Sequence, residues 1–226
     1  MAYGFYIKNS NGEVVIDSES PGLYLTREFN FAYNAGTTSA TNKSSYYRYR
    51  ITTTNDAAIV AVKLNNGDKI FGGPRIFYSN RTSINFREIT SFADSAPPRS
   101  GYGLEVYAAN GATLYSSARN ILPVSRIISF TGWSDDTYLQ NEKEFQTATV
   151  TATERWAVYG PIGMGYENTA SSPTSDGRGY QMVGGIWRKS DTQISYIPGA
   201  ISNKTLAGTR SAAYGLSRHS VLFFEG

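Results

Sequence analysis

Residues 3–8, YGFYIK, set Phe5 and Ile7 on one side of the chain and Tyr6 and Lys8 on the other. A period of two over a short run rich in aromatic and β-branched residues predicts a half-buried strand. Asn11-Gly12 follows, and residues 14–17 form an apolar return run. Asn-Gly tolerates positive φ, so this stretch predicts a β-hairpin closed by a two-residue or similarly tight turn. Residues 102–119, YGLEVYAANGATLYSSAR, repeat the pattern without a gap. Tyr3, Gly4, Asn11, Gly12 and Ser18 each meet an identical residue ninety-nine positions later, and Phe5, Ile7 and Val15 meet Leu104, Val106 and Leu114. The repeat predicts two similar β units, joined in tandem or packed about a pseudo-two-fold.

The rest of the chain reads as short strands at close spacing. Residues 23–29 form one run, and 46–51 alternate, with Tyr47, Tyr49 and Ile51 on one face. Residues 58–64, AIVAVKL, are apolar on both faces, which predicts a central strand. A turn, a strand, a Gly-Gly-Pro corner and another strand follow, and 83–92 complete the first half. The second half continues with residues 124–130, VSRIISF, a short helical or irregular stretch around 134–145, and strands near 145–151, 155–159, 180–188, 193–197 and 221–224. Residues 34–45 and 167–179 are small and polar and read as loops. The proline-bearing stretch 93–101 is the best linker, so the units are expected at 1–98 and 99–226, tandem or packed as one domain. The fold class is all-β, with one large or two tandem antiparallel sandwiches.

Composition sharpens this picture. The chain has 226 residues, long enough for a proper core, and its 17 Tyr and 11 Phe favour pleated strands. A tyrosine buries its ring while its hydroxyl stays wet, which suits faces that end in interfaces. The net charge of +3 is spread along the chain, so no nucleic-acid footprint is expected. There is no cysteine, which excludes disulfides and thiolate metal sites. No basic leader followed by an apolar segment opens the chain, so no secretory signal is expected, and no apolar run approaches the ~20 residues of a membrane span.

Candidate chemistry is sparse. His219 is the single histidine, and Ser217 two residues earlier lacks the second glycine of a nucleophile elbow, so His219 reads as an ordinary surface or packed residue. Asp135, Asp136, Glu142 and Glu144 form the densest acidic cluster; a solvated loop is preferred to a pair of glycoside-hydrolysing carboxylates or a calcium site. The glycine-rich runs 160–166 and 184–189 lack phosphate-loop spacing and read as bends or close backbone contacts. Asn42, Asn80 and Asn203 head glycosylation sequons and are read as loop composition. Trp133, Trp156 and Trp187 offer a sugar platform, but core packing is the preferred use. No catalytic, cofactor-binding or metal-ligating residue is assigned.

The two hairpin sequences, MAYGFYIKNSNGEVVIDS and YGLEVYAANGATLYSS, resemble the openings of small tail-region virion proteins of tailed bacteriophages. The resemblance covers under a quarter of the chain. It implies a non-enzymatic structural subunit near the tail tip or fibre-attachment zone, made in the host cytoplasm and located in the virion, and it carries over no catalytic residues. The expected partners are other virion tail proteins, further copies of the chain in a symmetric assembly, and a host-surface glycan. A carbohydrate-binding receptor module or a capsid decoration protein is the alternative, and a glycan-degrading enzyme ranks last.

Overall fold

Alternating apolar positions become strands throughout the computed structural model, which describes residues 6–8, 14–17, 22–33, 46–72, 75–91, 103–108, 110–117, 121–130, 144, 146–159, 165–168, 177–206 and 219–226. The predicted stretches 34–45 and 93–101, and most of 134–145, lie outside the described residues. The first half carries β1 (Tyr6–Lys8), β2 (Val14–Asp17), β3 (Leu23–Ala32), β4 (Tyr47–Arg50), β5 (Ile59–Lys63), β6 (Lys69–Gly72), β7 (Ile76–Ser79) and β8 (Ser83–Ser91). The second carries β9 (Glu105–Tyr107), β10 (Thr113–Ser116), β11 (Val124–Phe130), β12 (Gln146–Thr149), β13 (Glu154–Tyr159), β14 (Gly165–Asn168), β15 (Gly177–Arg188), β16 (Gln193–Leu206) and β17 (His219–Glu225).

These strands build an antiparallel β-sandwich. One sheet has the order β11-β17-β13-β5-β8-β3; the other runs β12-β16-β15-β6-β7-β4, with β14 alongside β15. β1-β2 and β9-β10 are separate two-stranded hairpins. Each large sheet takes three strands of its order from each half, and the halves meet at the β13-β5 and β15-β6 seams. Exchanging the halves leaves both orders unchanged, which is the signature of an internal pseudo-two-fold.

The registers show that the likeness reaches single residues. Tyr6↔Asp17, Ile7↔Ile16 and Lys8↔Val14 in the first hairpin become Glu105↔Ser116, Val106↔Tyr115 and Tyr107↔Thr113 in the second, so Val15 and Leu114 are the equivalent bulged residues. The β3-β8 ladder skips between Leu25 and Arg27, and the β11-β17 ladder skips between Val124 and Arg126, again ninety-nine positions apart. In the second sheet the chain of pairs Tyr47↔Ser79↔Ile70 answers Gln146↔Tyr196↔Ile186, with Tyr47 and Gln146 again ninety-nine positions apart, which makes Ile70 the counterpart of Ile186. Ile70 and Ile186 pair with each other at the seam, so the pseudo-axis runs through them, and Phe71 pairs with Gly185 beside it. A Cβ on Gly185 would stand 2.4 Å from the Phe71 ring and 2.6 Å from the Ile70 carbonyl oxygen, so a glycine is required there.

The second hairpin shows why its repeated residues recur. Gly111 has φ +82° and its N–H donates to Ala108 O (2.9 Å), while Ala108 N–H donates to Ala112 O (2.8 Å). This is a three-residue loop with glycine in the left-handed position, so Asn110 and Gly111 are not the two central residues of a two-residue turn. The Asn110 carboxamide accepts from Ala112 N–H (3.0 Å). Ser117 Oγ accepts from Leu104 N–H (2.8 Å) and lies where a Cβ on Gly103 would collide.

The main core fills the space between the sheets. It includes Val60, Val62, Phe86, Ala157 and Phe223 from one sheet and Tyr49, Ile70, Phe77, Ile186 and Tyr196 from the other. Alternate residues of the six-stranded sheet, Ala61, Trp156, Val158 and Phe224, join Ile89 in a second core on its opposite face. β5 is therefore buried on both faces at the centre of its sheet, as its sequence predicts. Each fully buried Phe or Ile contributes about 1.5–3 kcal/mol of transfer free energy.

One element breaks the duplication. Residues 64–68 alone connect β5 to β6, whereas the second half inserts β14 and the outer part of β15 between β13 and the seam. β15 and β16 pair from Arg188↔Ile194 out to Gly177↔Leu206, and β14 flanks the outer section. The sequence reading of 167–179 as a loop is corrected at both ends, which are strand: ladder bonding by the backbone orders glycine-rich residues that carry no apolar pattern. Residues 169–176 lie outside the described set.

Candidate functional site

A sheet edge presents backbone N–H and C=O groups to whatever approaches, so its side chains decide whether it is blocked or receptive. β3 and β11 are the two edges of the six-stranded sheet and are pseudo-equivalent. The start of β3 meets the residues just ahead of β11, where Tyr24 bridges Ile121 and Leu122 N–H donates to Leu23 O (3.0 Å). Among the described residues no strand pairs with the outer side of either edge beyond that point.

The inner-facing arginine is kept in both edges. Arg27 Nε donates to Glu88 Oε2 (2.6 Å) and Arg126 Nε donates to Glu154 Oε1 (3.0 Å). Glu88 also accepts from the Thr54 N–H (2.7 Å) and hydroxyl, and Glu154 accepts from Thr151 N–H (2.7 Å). Burial pushes the Glu88 carboxyl up, but the hydrogen bonds from Thr54 and Arg27 outweigh it and hold the group below the usual range. Both carboxylates are buried and satisfied. They stabilise loop against strand, and neither was visible in the sequence because isolated glutamates in strands look like surface residues.

On the outer face the edges differ. In β3 the sequence places Glu28 beside Arg87, and they form an ion pair at 3.0 Å. The equivalent pair on the other edge is Ile127 beside Leu222. The next outer position is polar on both: Asn30 Nδ2 donates to Asn85 Oδ1 (2.6 Å), and the Ser129 and Ser220 hydroxyls share a bond of 2.9 Å. On the outer face the two like edges thus differ by an ion pair against an apolar pair. Ile127 is 62% exposed and Val124 38%. Arg126 is the one charged residue of β11, and its guanidinium is engaged by Glu154 and by Thr149 O (3.0 Å).

The remaining sequence candidates do not converge. His219 opens β17, while Ser217, Asp135, Asp136, Glu142, Trp133 and Asn42 lie outside the described residues. Glu144 accepts from Lys189 Nζ (2.8 Å) and from the Thr147 hydroxyl, which keep its carboxyl below the usual range. Trp156 is buried in the second core with the Arg87 guanidinium over its ring at 4.0 Å. Trp187 belongs to the other sheet and is half-buried between the Lys69 and Lys189 ammoniums, at 5.0 and 5.4 Å from its ring. Asn80 is a structural turn residue, donating to Gly67 O (3.0 Å) and accepting from Lys69 N–H (2.9 Å). Asn203 lies in β16, which corrects its reading as loop composition. Among the described residues no group of three or more acidic or histidine side chains is placed to hold a metal ion.

No family model matches the chain, and neither a curated protein nor a solved structure matches it. The class defined by fold and site is therefore an internally duplicated antiparallel β-sandwich with one ion-paired and one apolar edge.

Proposed function

We propose that this protein is a non-enzymatic structural subunit of a tailed-bacteriophage virion, placed at the tail tip or the fibre-attachment zone and joined to its neighbours through sheet edges. The observation that carries the reading is the exposed apolar edge β11 on a sandwich whose equivalent edge β3 is ion-paired. Strand addition to such an edge supplies main-chain hydrogen bonds for affinity and alternate side chains for specificity. The hairpin residues that resemble tail-region proteins support the same reading. Mass spectrometry of purified virions should find the chain at a fixed ratio to other tail proteins, and particles made without it should lack a complete tail tip. Its absence from particles, together with normal particle assembly in its absence, rejects the proposal.

Trp187 with its flanking lysines favours a second reading, a carbohydrate-binding module that takes acidic glycans. Calorimetry with uronic-acid oligosaccharides tests it. Binding abolished by Trp187→Ala supports the module, and absence of binding removes it.

A further inference from the structure

We infer that β11 is a homotypic docking strand: it pairs with β11 of a second copy of this chain, antiparallel about a two-fold axis at Ile127, and joins two six-stranded sheets into one. This deepens the edge-mediated reading above and rests on it for the premise that edges make the contact.

The argument starts from the internal comparison that the duplication provides. β3 and β11 share their bulge position, their inner arginine and their polar outer pair, yet only β3 carries the outer ion pair Glu28–Arg87. Charges on an edge discourage pairing, and their replacement by exposed aliphatic side chains invites it. β11 has no lysine and no proline, and Arg126 is already engaged. A matching partner strand must be uncharged at its centre, since a carboxylate or ammonium set against Ile127 would lose water without gaining a counter-charge. β11 of a second copy meets that condition. β3 of a second copy does not, because it would bring Glu28 and Arg87 to the seam; that head-to-tail contact would also leave a free edge at each end and grow without closing.

Backbone geometry then sets the register. Opposed residues in an antiparallel pair must both turn their bonding groups toward each other or both away, so a two-fold axis falls on a residue. With the axis at Ile127, Ile127 faces itself, Arg126 faces Ile128 of the second copy and Ser125 faces Ser129 of the second copy. An axis at Arg126 would oppose two guanidiniums, which is unfavourable. The self-complementary strand makes an isologous and closed dimer.

The absence of cysteine makes the test direct. Opposed Cα atoms in an antiparallel pair lie about 4.5–5.5 Å apart, within the range a disulfide bridges. Mild oxidation of Ile127→Cys should give a disulfide-linked dimer on a non-reducing gel, while Asn30→Cys on β3 should remain a monomer on that gel. In sedimentation equilibrium the wild-type chain should dimerise without forming longer species, and Ile127→Lys should weaken that association at least ~10-fold, with Asn30→Lys unchanged. Circular dichroism of Ile127→Lys checks that the fold is intact, which its exposure favours. A chain that is monomeric at every concentration, or that cross-links through Asn30→Cys and not through Ile127→Cys, overturns the pairing. A monomer that is nevertheless built into virions overturns the pairing and leaves the subunit reading standing. A dimer linked through Ile127→Cys in a chain dispensable for particles does the reverse.

Discussion

At the scale of the residue, the buried polar groups and the close approaches set the sensitivities. Glu88 is fully buried and bonded to Arg27 and Thr54, with a carboxyl held below its ordinary value of 4.5 in the folded state. A depressed pKa stabilises the fold above the unfolded value, and that contribution is lost as pH falls through the folded value. Glu88→Gln should lower unfolding free energy at pH 7 by about 2 kcal/mol and flatten the acid limb of the stability curve below the unfolded carboxyl range near ~4.3. Urea titrations of both proteins between neutral and acid pH measure this. Gly185→Val should cost about 1–3 kcal/mol, because its Cβ meets the Phe71 ring and the Ile70 carbonyl oxygen. Adding Phe71→Ala should recover none of the backbone part of that clash, and a double-mutant cycle by thermal unfolding reads the difference.

At the scale of the element, the two hairpins are interchangeable parts. Their pairs coincide after a shift of ninety-nine residues, including the bulge, so replacing residues 3–18 by a copy of 102–117 should leave a folded protein whose melting temperature shifts by only a few degrees, about 1 kcal/mol or less. Calorimetry of the chimera decides it, and loss of the folded state counts against equivalent hairpins. Most of the strands were legible in the sequence, because Tyr47, Tyr49 and Ile51, or the doubly apolar β5, write a period of two or none at all. The repeat was legible in five identities whose roles emerge from Gly111 in the turn and from Gly103 beside Ser117. The outer arm was not. Residues 177–183 and 198–206 are ordered by pairing with each other, and register between distant segments leaves no local trace. The contrast between β3 and β11 was equally hidden, since it emerges only when strands from separate halves are recognised as counterparts.

At the scale of the whole molecule, the halves share both sheets, with β5 against β13 and β6 against β15 at the seams. Isolated residues 1–98 would expose two newly opened central edges and one face of the second core, to which Trp156 and Phe224 belong. The intact chain should therefore unfold in one transition with equal calorimetric and van't Hoff enthalpies, and 1–98 alone should give no such transition. Two separate melting steps would contradict this coupling. The arm adds a mechanical consequence. Near the seam β15 and β16 lie between β6 and β12, whereas farther out β14 alone flanks them. A load at Gly177 and Leu206 directed along the strands strains the ladder bonds to β6 and β12 in shear, all at once, while a sideways load that separates the two residues opens the β15-β16 pairs one after another. The arm is thus a directional lever, stiff under tension and compliant to peeling, and a pull on its tip arrives at Gly185 and Phe71, where both halves of the molecule take up the force.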